Sequence, residues 1–248
     1  MRRCNYPSIN SRAIMLAYGL CIHWSTPFHA CMRTLREGYE TGMKMGSLTP
    51  DGAFGCIHFY LSFCFWTGVD LPTLHHDYSS YIAQMEDCGS WKAAAMTIPN
   101  KHIITRLRGL PDEMEEAEIL RLAKEHRDPV VECFLRWAQI WLACYQGRHV
   151  EAAGLSLVWL PKILKLLMAH SVVMETVFAS ALSCMAAARQ SGNKKLIQHA
   201  TFCRKKVKGW VSKGNLNCVA RKYHWGIEDV CIELKGALRL FLTFVKYR

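Results

Sequence analysis

An all-α fold, an α-solenoid of stacked antiparallel helical hairpins, is what this 248-residue sequence predicts. Three observations point to it. Helical periodicity runs from one end of the chain to the other, the two-residue alternation of half-buried strands is missing, and Pro and Gly interrupt the chain at intervals of about 12 to 20 residues. Many similar helices on short turns bury their apolar faces most simply by stacking on one another. The chain is therefore expected to form a single helical domain over 1–248, with a basic part at 189–248.

The elements follow in order. A first helix is expected over 11–23, with Ser11 as its N-cap. Its apolar run Ala13–Ile22 ends in His23-Trp24 without a small-residue cleavage site, so an ordinary helix is expected there rather than a secretory leader. Ser25-Thr26-Pro27 opens a helix over 27–45, and Thr49-Pro50-Asp51 opens another over 51–67. Asp70-Leu71-Pro72 begins 71–87, and 91–107 follows. Leu110-Pro111-Asp112 starts 112–126, whose first turn gathers Glu113, Glu115, Glu116 and Glu118 at the positive end of the helix dipole. Asp128-Pro129 starts 129–146, and helices over 149–168, 171–190, 193–212, 217–234 and 236–246 complete the series. Gly46, Gly68, Gly109, Gly147 and Gly192 stand where helices should stop.

One segment raises a question of environment. Ala53–Val69 is apolar for 17 residues, the lower limit of a membrane span, and Asp51 and Asp70 bracket it closely. It also carries His58, Tyr60, Ser62 and Trp66, and a helix sandwiched between neighbours is apolar nearly all round. A buried helix is expected, with Phe54, Ile57, Tyr60, Leu61, Phe63 and Phe65 packed inside; a membrane protein spanning at 53–69 is the alternative.

Charge is the second asymmetry. The net charge is +11, yet residues 1–188 hold 17 Lys and Arg against 17 Asp and Glu, while 189–248 hold 14 against 3. So many cations cannot be neutralised locally and must reach solvent or an outside anion. Arg204, Lys205, Lys206, Lys208, Lys213, Arg221 and Lys222 are expected to form a common basic interaction face. A nucleic-acid-associated helical protein is a further alternative, although nothing there resembles a base-reading module.

Catalytic signatures are missing from the sequence: there is no G-x-x-x-x-G-K-[ST] phosphate loop, no kinase H-R-D or D-F-G set and no G-x-S-x-G elbow. The twelve cysteines include no C-x-x-C pair and fall mostly in apolar periodic runs, as small buried hydrophobes of a reducing compartment do. Cys21, His23, His29 and Cys31 carry metal-ligand chemistry. However, a Cys-x-His pair on a helix diverges by about 200°, so no metal site is expected. His199 and Cys203 share one helical face at a spacing that suits packing as well as a nucleophile pair.

Gly38, Tyr39, Glu40, Gly42 and Gly46 form a Gly-Tyr-Glu-x-Gly-x-x-x-Gly turn; Ala53 opens the next helix, and a Gly-x-x-Leu break follows at Gly68 and Leu71. Tyr145, Gly147 and Ala152 make a Tyr-x-Gly-x-x-x-x-Ala unit, and Trp210–Gly236 closes the pattern with its Trp, Asn-Cys, Glu and Gly. In this order the motifs resemble the tetratricopeptide-like helical region of large signalling proteins, which also carry an AAA-type ATPase module and sensor kinase or cyclase modules. The chain departs from that pattern at Ser47, where the family has an acidic residue, and in the longer turn Ser47–Gly52. The resemblance implies a non-catalytic scaffold or interaction segment in the cytoplasm, without a cofactor. Its partner would be a protein or adjacent modules of a longer chain rather than nucleic acid or membrane. On physical grounds Gly42 and Gly46 permit a close crossing or a left-handed cap, and Tyr39 and Ala53 are expected to interlock across one hairpin.

Overall fold

The computed structural model describes residues 7–111, 116–125 and 127–219. Among them the chain is all-helical, with no strand. Helix α1 (Pro7–Ile14) runs directly into a π-helical stretch, Met15–Cys21, and a 3-10 turn, Ile22–Trp24. Then follow α2 (Phe28–Lys44), α3 (Ala53–Thr67), α4 (Leu71–Asp87) and α5 (Trp91–Leu107). Next come α6 (Glu116–Glu125), α7 (Pro129–Tyr145), α8 (His149–Leu166), α9 (Val172–Ser191) and α10 (Lys194–Ser212), before a 3-10 turn at Leu216–Cys218. The helix expected over 236–246, and all but the start of that over 217–234, lie outside the described residues.

Local chemistry accounts for the boundaries. Asp70 caps α4 by accepting from Thr73 N–H at 2.9 Å, and Asn193 caps α10 through Lys195 N–H at 2.9 Å. The five expected stop glycines all adopt left-handed backbone, from φ 65 at Gly192 to φ 86 at Gly68. Ser11 is a correction: the helix begins earlier, at Pro7, and Ser11 is fully buried in mid-helix against Gly42 rather than capping it.

Asp128 does two jobs at the head of α7. Its carboxylate accepts from Val130 N–H at 2.9 Å and pairs with Lys92 Nζ of α5 at 2.8 Å. Burial alone would raise this carboxyl, but Lys92 and the helix N–H groups hold it below its usual range. Asp128→Ala is therefore expected to cost about 2 kcal/mol, as a lost cap and an ion pair broken on its buried side. A urea midpoint unchanged from the parent chain would contradict this.

α2 buries Phe28, Cys31, Leu35, Gly38 and Gly42, a stripe at alternating three- and four-residue spacing. A methyl added at Gly42 would sit 2.8 Å from Ala53 Cβ, so α2 and α3 cross at near-backbone contact. Ala53 thus interlocks with Gly42, whereas Tyr39 reaches across to α4, donating to Gln84 Oε1 at 2.5 Å and meeting Tyr81 edge-on.

α3 is enclosed almost all round. Phe54, Ile57, Leu61 and Phe63 are buried, and Tyr60 and Phe65 half-buried. α9 has the length and composition to cross a membrane, with mean hydropathy 1.3, and 78% of that stretch lies buried inside the fold. Consecutive helices pack side by side from α1 to α5 and from α6 to α10, with α5 also beside α7 and α7 beside α9. The first and last described segments meet. Asn217 Nδ2 donates to His23 O at 2.6 Å and Thr26 O at 3.0 Å, while its Oδ1 accepts from Phe28 N–H at 3.1 Å. Trp24 Nε1 donates to Ala169 O at 3.0 Å, and its ring meets Trp210 edge-on. Among the described residues, the segment before α2 is thereby tied to the turn before α9 and to the segment at the end of α10.

Candidate functional site

α10 carries five of the residues expected at the basic face or just beyond it. Lys205, Lys208 and Lys213 are exposed, and within about 140° of one another around the axis. Arg204 and Lys206 are half-buried and flank them on opposite sides, about 200° apart. Lys206 Nζ lies over the Phe202 ring, 5.2 Å from its centre. Ile197 and Phe202 are exposed among these cations and, with Gln198, Thr201 and Lys205, line an open groove. Arg221 and Lys222 lie outside the described residues.

A second constellation comes from parts of the chain far apart in sequence. His58, from the middle of α3, and His170, from the turn before α9, meet with their Nε2 atoms 3.1 Å apart, both rings buried. His58 Nδ1 is 3.0 Å from Thr97 Oγ1 on α5, and His170 Nδ1 is 3.2 Å from Val172 N–H. Thr97 Oγ1 donates to Ala93 O at 2.8 Å.

Counting protons along these bonds fixes the tautomers. Val172 donates to His170 Nδ1, so the His170 proton is on Nε2 and points at His58. His58 Nε2 must then accept, its own proton sits on Nδ1, and Thr97 receives it. Every ring nitrogen is satisfied while both rings are neutral, and an added proton would break one of these bonds. Burial in the same direction depresses His58 to about 4 and holds His170 well below the ordinary histidine range. Phe59 stacks on His170 at 4.5 Å, and Phe134 meets both rings edge-on. A hydroxyl–amide pair continues the polar line through α3 and α5: Ser62 Oγ donates to His58 O and accepts from Asn100 Nδ2.

The histidine pair forms one wall of a cavity of about 340 Å³. The other walls are Met15 and Leu20 of the π-helical stretch, Pro50 of the turn before α3, Phe54, Gly55 and Phe59 of α3, Ala93 and Met96 of α5, Val130 and Phe134 of α7, and the segment Leu166–Ala169. π-helical stretches are rare and often border functional sites. Here the wide turn brings Gly19 onto the Phe59 ring, where a methyl would lie 2.4 Å from the nearest ring carbon.

The remaining candidates fall apart or pair otherwise. Cys21 and His29 are exposed, Cys31 is buried in the core, and His23 is enclosed by Trp24, Phe28 and Phe63. His23 is depressed to about 4 by burial, against a smaller opposing effect of the Tyr18 backbone. His199 turns from Cys203 to Ser156 Oγ on α8, 2.9 Å away, and burial pushes the Cys203 thiol up to about 12. Eight of the ten described cysteines are buried and all ten are free thiols.

The sequence reading missed the His58–His170 pair, since the two residues are 112 apart. The signal available was a faint one: His58 and Ser62 at four-residue spacing on an otherwise apolar helix, facing Thr97 and Asn100 on another. No family model, curated protein or solved structure matches the chain.

Proposed function

We propose that this chain is a non-catalytic helical scaffold of tetratricopeptide-like design that docks an acidic protein surface through the outer face of α10. The observation that carries this reading is the trio Lys205, Lys208 and Lys213. They are exposed, with no carboxylate paired to them among the described residues, and they follow the exposed apolar side chains of Ile197 and Phe202 along the same helix, Lys205 lining a groove with both. Cations beside exposed apolar side chains suit a protein surface that combines carboxylates with hydrophobic contacts. Lys206 already covers one face of the Phe202 ring, which counts against base stacking there.

The side-by-side packing of α2 to α5 and of α6 to α10 supports the repeat-like part of the reading, and the resemblance to signalling proteins supplies its context. The partner would be an acidic protein or an adjacent module of a longer chain, in the cytoplasm, where the free cysteines would stay reduced. The absence of catalysis is part of the reading: the chemically equipped residues, His58 and His170, have every ring nitrogen engaged.

The test compares poly-glutamate with single-stranded DNA of matched charge. Both are expected to bind the full chain with affinities within a few fold and to weaken as salt rises. Charge reversal at Lys205, Lys206 and Lys208 is expected to lower binding at least about tenfold with the helical circular dichroism unchanged. A strong preference for DNA, or binding indifferent to the charge reversal, would overturn the reading.

A further inference from the structure

We propose that the cavity walled by His58 and His170 is a binding site for a neutral, predominantly hydrocarbon small molecule. The cavity is lined by six parts of the chain, so its shape is set by how they pack together and by no single helix face. Its volume, about 340 Å³, is at the small end of ligand sites and accommodates roughly a dozen non-hydrogen atoms at interior packing density. A folded partner or a peptide segment is too large for it; a medium-chain alcohol or a bicyclic aromatic is not.

The walls also select against charge. No Lys, Arg, Asp or Glu lines the cavity, and both histidines are committed to each other, to Thr97 and to the Val172 amide as neutral rings. A carboxylate entering the site would lose its water without gaining a cation, and an ammonium would meet no anion. A neutral molecule meets methyl, thioether and ring surface throughout. Met168, 68% exposed, and Leu166, 40% exposed, stand at the mouth. Met15 and Met96 lie within the lining, and thioether side chains adapt to ligand shape at small cost. The site shares no residue with the α10 face, so the two proposals stand or fall separately.

The test uses the full chain with n-octanol, octanoate and octylammonium as matched probes at pH 7.5, followed by calorimetry and by methyl spectra of labelled methionines. Octanol is expected to bind in the sub-millimolar range and each charged twin at least about tenfold more weakly. Octanol should shift the methyl signals of Met15, Met96 and Met168 and leave Met45, which is exposed and away from the cavity, unmoved. Ala93→Phe, which fills the cavity, is expected to abolish these shifts. If that variant unfolds, the methionine map of the parent chain still decides. Absence of octanol binding, equal binding of octanoate, or shifts at Met45 matching those at Met15 would each overturn the proposal.

Discussion

Unfolding of this chain on mild acidification, between pH 6.5 and about 4, is the largest effect expected from its interior. His23 and His58 are both depressed to about 4, and His170 is shifted in the same direction, each chiefly by burial. In the unfolded chain these rings titrate near 6.5. Between the two values the unfolded state binds more protons than the native one, so stability rises with pH across that window. Their contribution is fully present above about 6.5 and is lost as pH falls towards 4.

The loss is on the order of 3 kcal/mol for each of His23 and His58, against a total stability of about 5–15 kcal/mol for an ordinary domain. The described surroundings offer no compensation: the rings face Trp24, Phe28, Phe59, Phe63, Phe134 and Thr97, and no carboxylate among the described residues pairs with them. Carboxylates such as Glu116, held low mainly by its hydrogen bond from His102, lose their contribution from the ordinary value of 4.5 downward, at the low end of the histidine window and beyond it. Urea titrations at pH 7.5, 6 and 5 should show the midpoint falling steadily. His23→Phe, placed among rings and removing no well-formed hydrogen bond, should flatten part of that slope. A midpoint constant from pH 7.5 to 5 would show that these rings do not titrate as placed.

What the sequence disclosed about the fold was what short-range chemistry encodes. The helices expected over 71–87 and 91–107 are those observed, Leu71–Asp87 and Trp91–Leu107, because caps and stop glycines act within three residues of a boundary. The burial of α3 was legible from composition and its flanking aspartates. The π-helical stretch was not, because it is held by Gly19 against Phe59, a contact 40 residues away that no local pattern announces. The contact between the first and last described segments was hidden for the same reason: Asn217 reads as the first residue of the helix expected over 217–234 until it meets His23, Thr26 and Phe28. On the candidate sites, the charge imbalance gave away the basic helix, since charge density is a local property. The cavity needed six segments in register and left no local signature. Ser11 shows how a strong local signal fails. Ser is a good cap, but here α1 starts earlier and the hydroxyl fits the space that Gly42 leaves open.

The turn from Ser47 to Gly52, longer than the resemblance implied, leads to the second large expected effect. Gly52 N–H donates to Thr49 O and Ala53 N–H to Ser47 O, so the turn folds back over the first residues of α3. The folded-back Pro50 carbonyl is where a side chain at position 55 would have to go. A methyl at Gly55 would be 2.2 Å from Pro50 O and 2.8 Å from Met15 Cγ. Met15 can swing aside; a backbone oxygen fixed by the turn cannot. Gly55→Ala is therefore expected to destabilise by at least about 3 kcal/mol, the upper part of the range for overpacking. Gly209→Ala is the matching control. Gly209 is inside α10 with nothing within 4 Å of its added methyl, so that variant should gain about 0.5–1 kcal/mol from helix propensity and reduced unfolded-state entropy. The two substitutions add the same atom to glycines in helices of the same chain and are expected to move the urea midpoint in opposite directions. Should Gly55→Ala leave the midpoint unchanged, the turn does not sit over α3, and the cavity wall formed by Pro50, Phe54 and Gly55 would have to be redrawn.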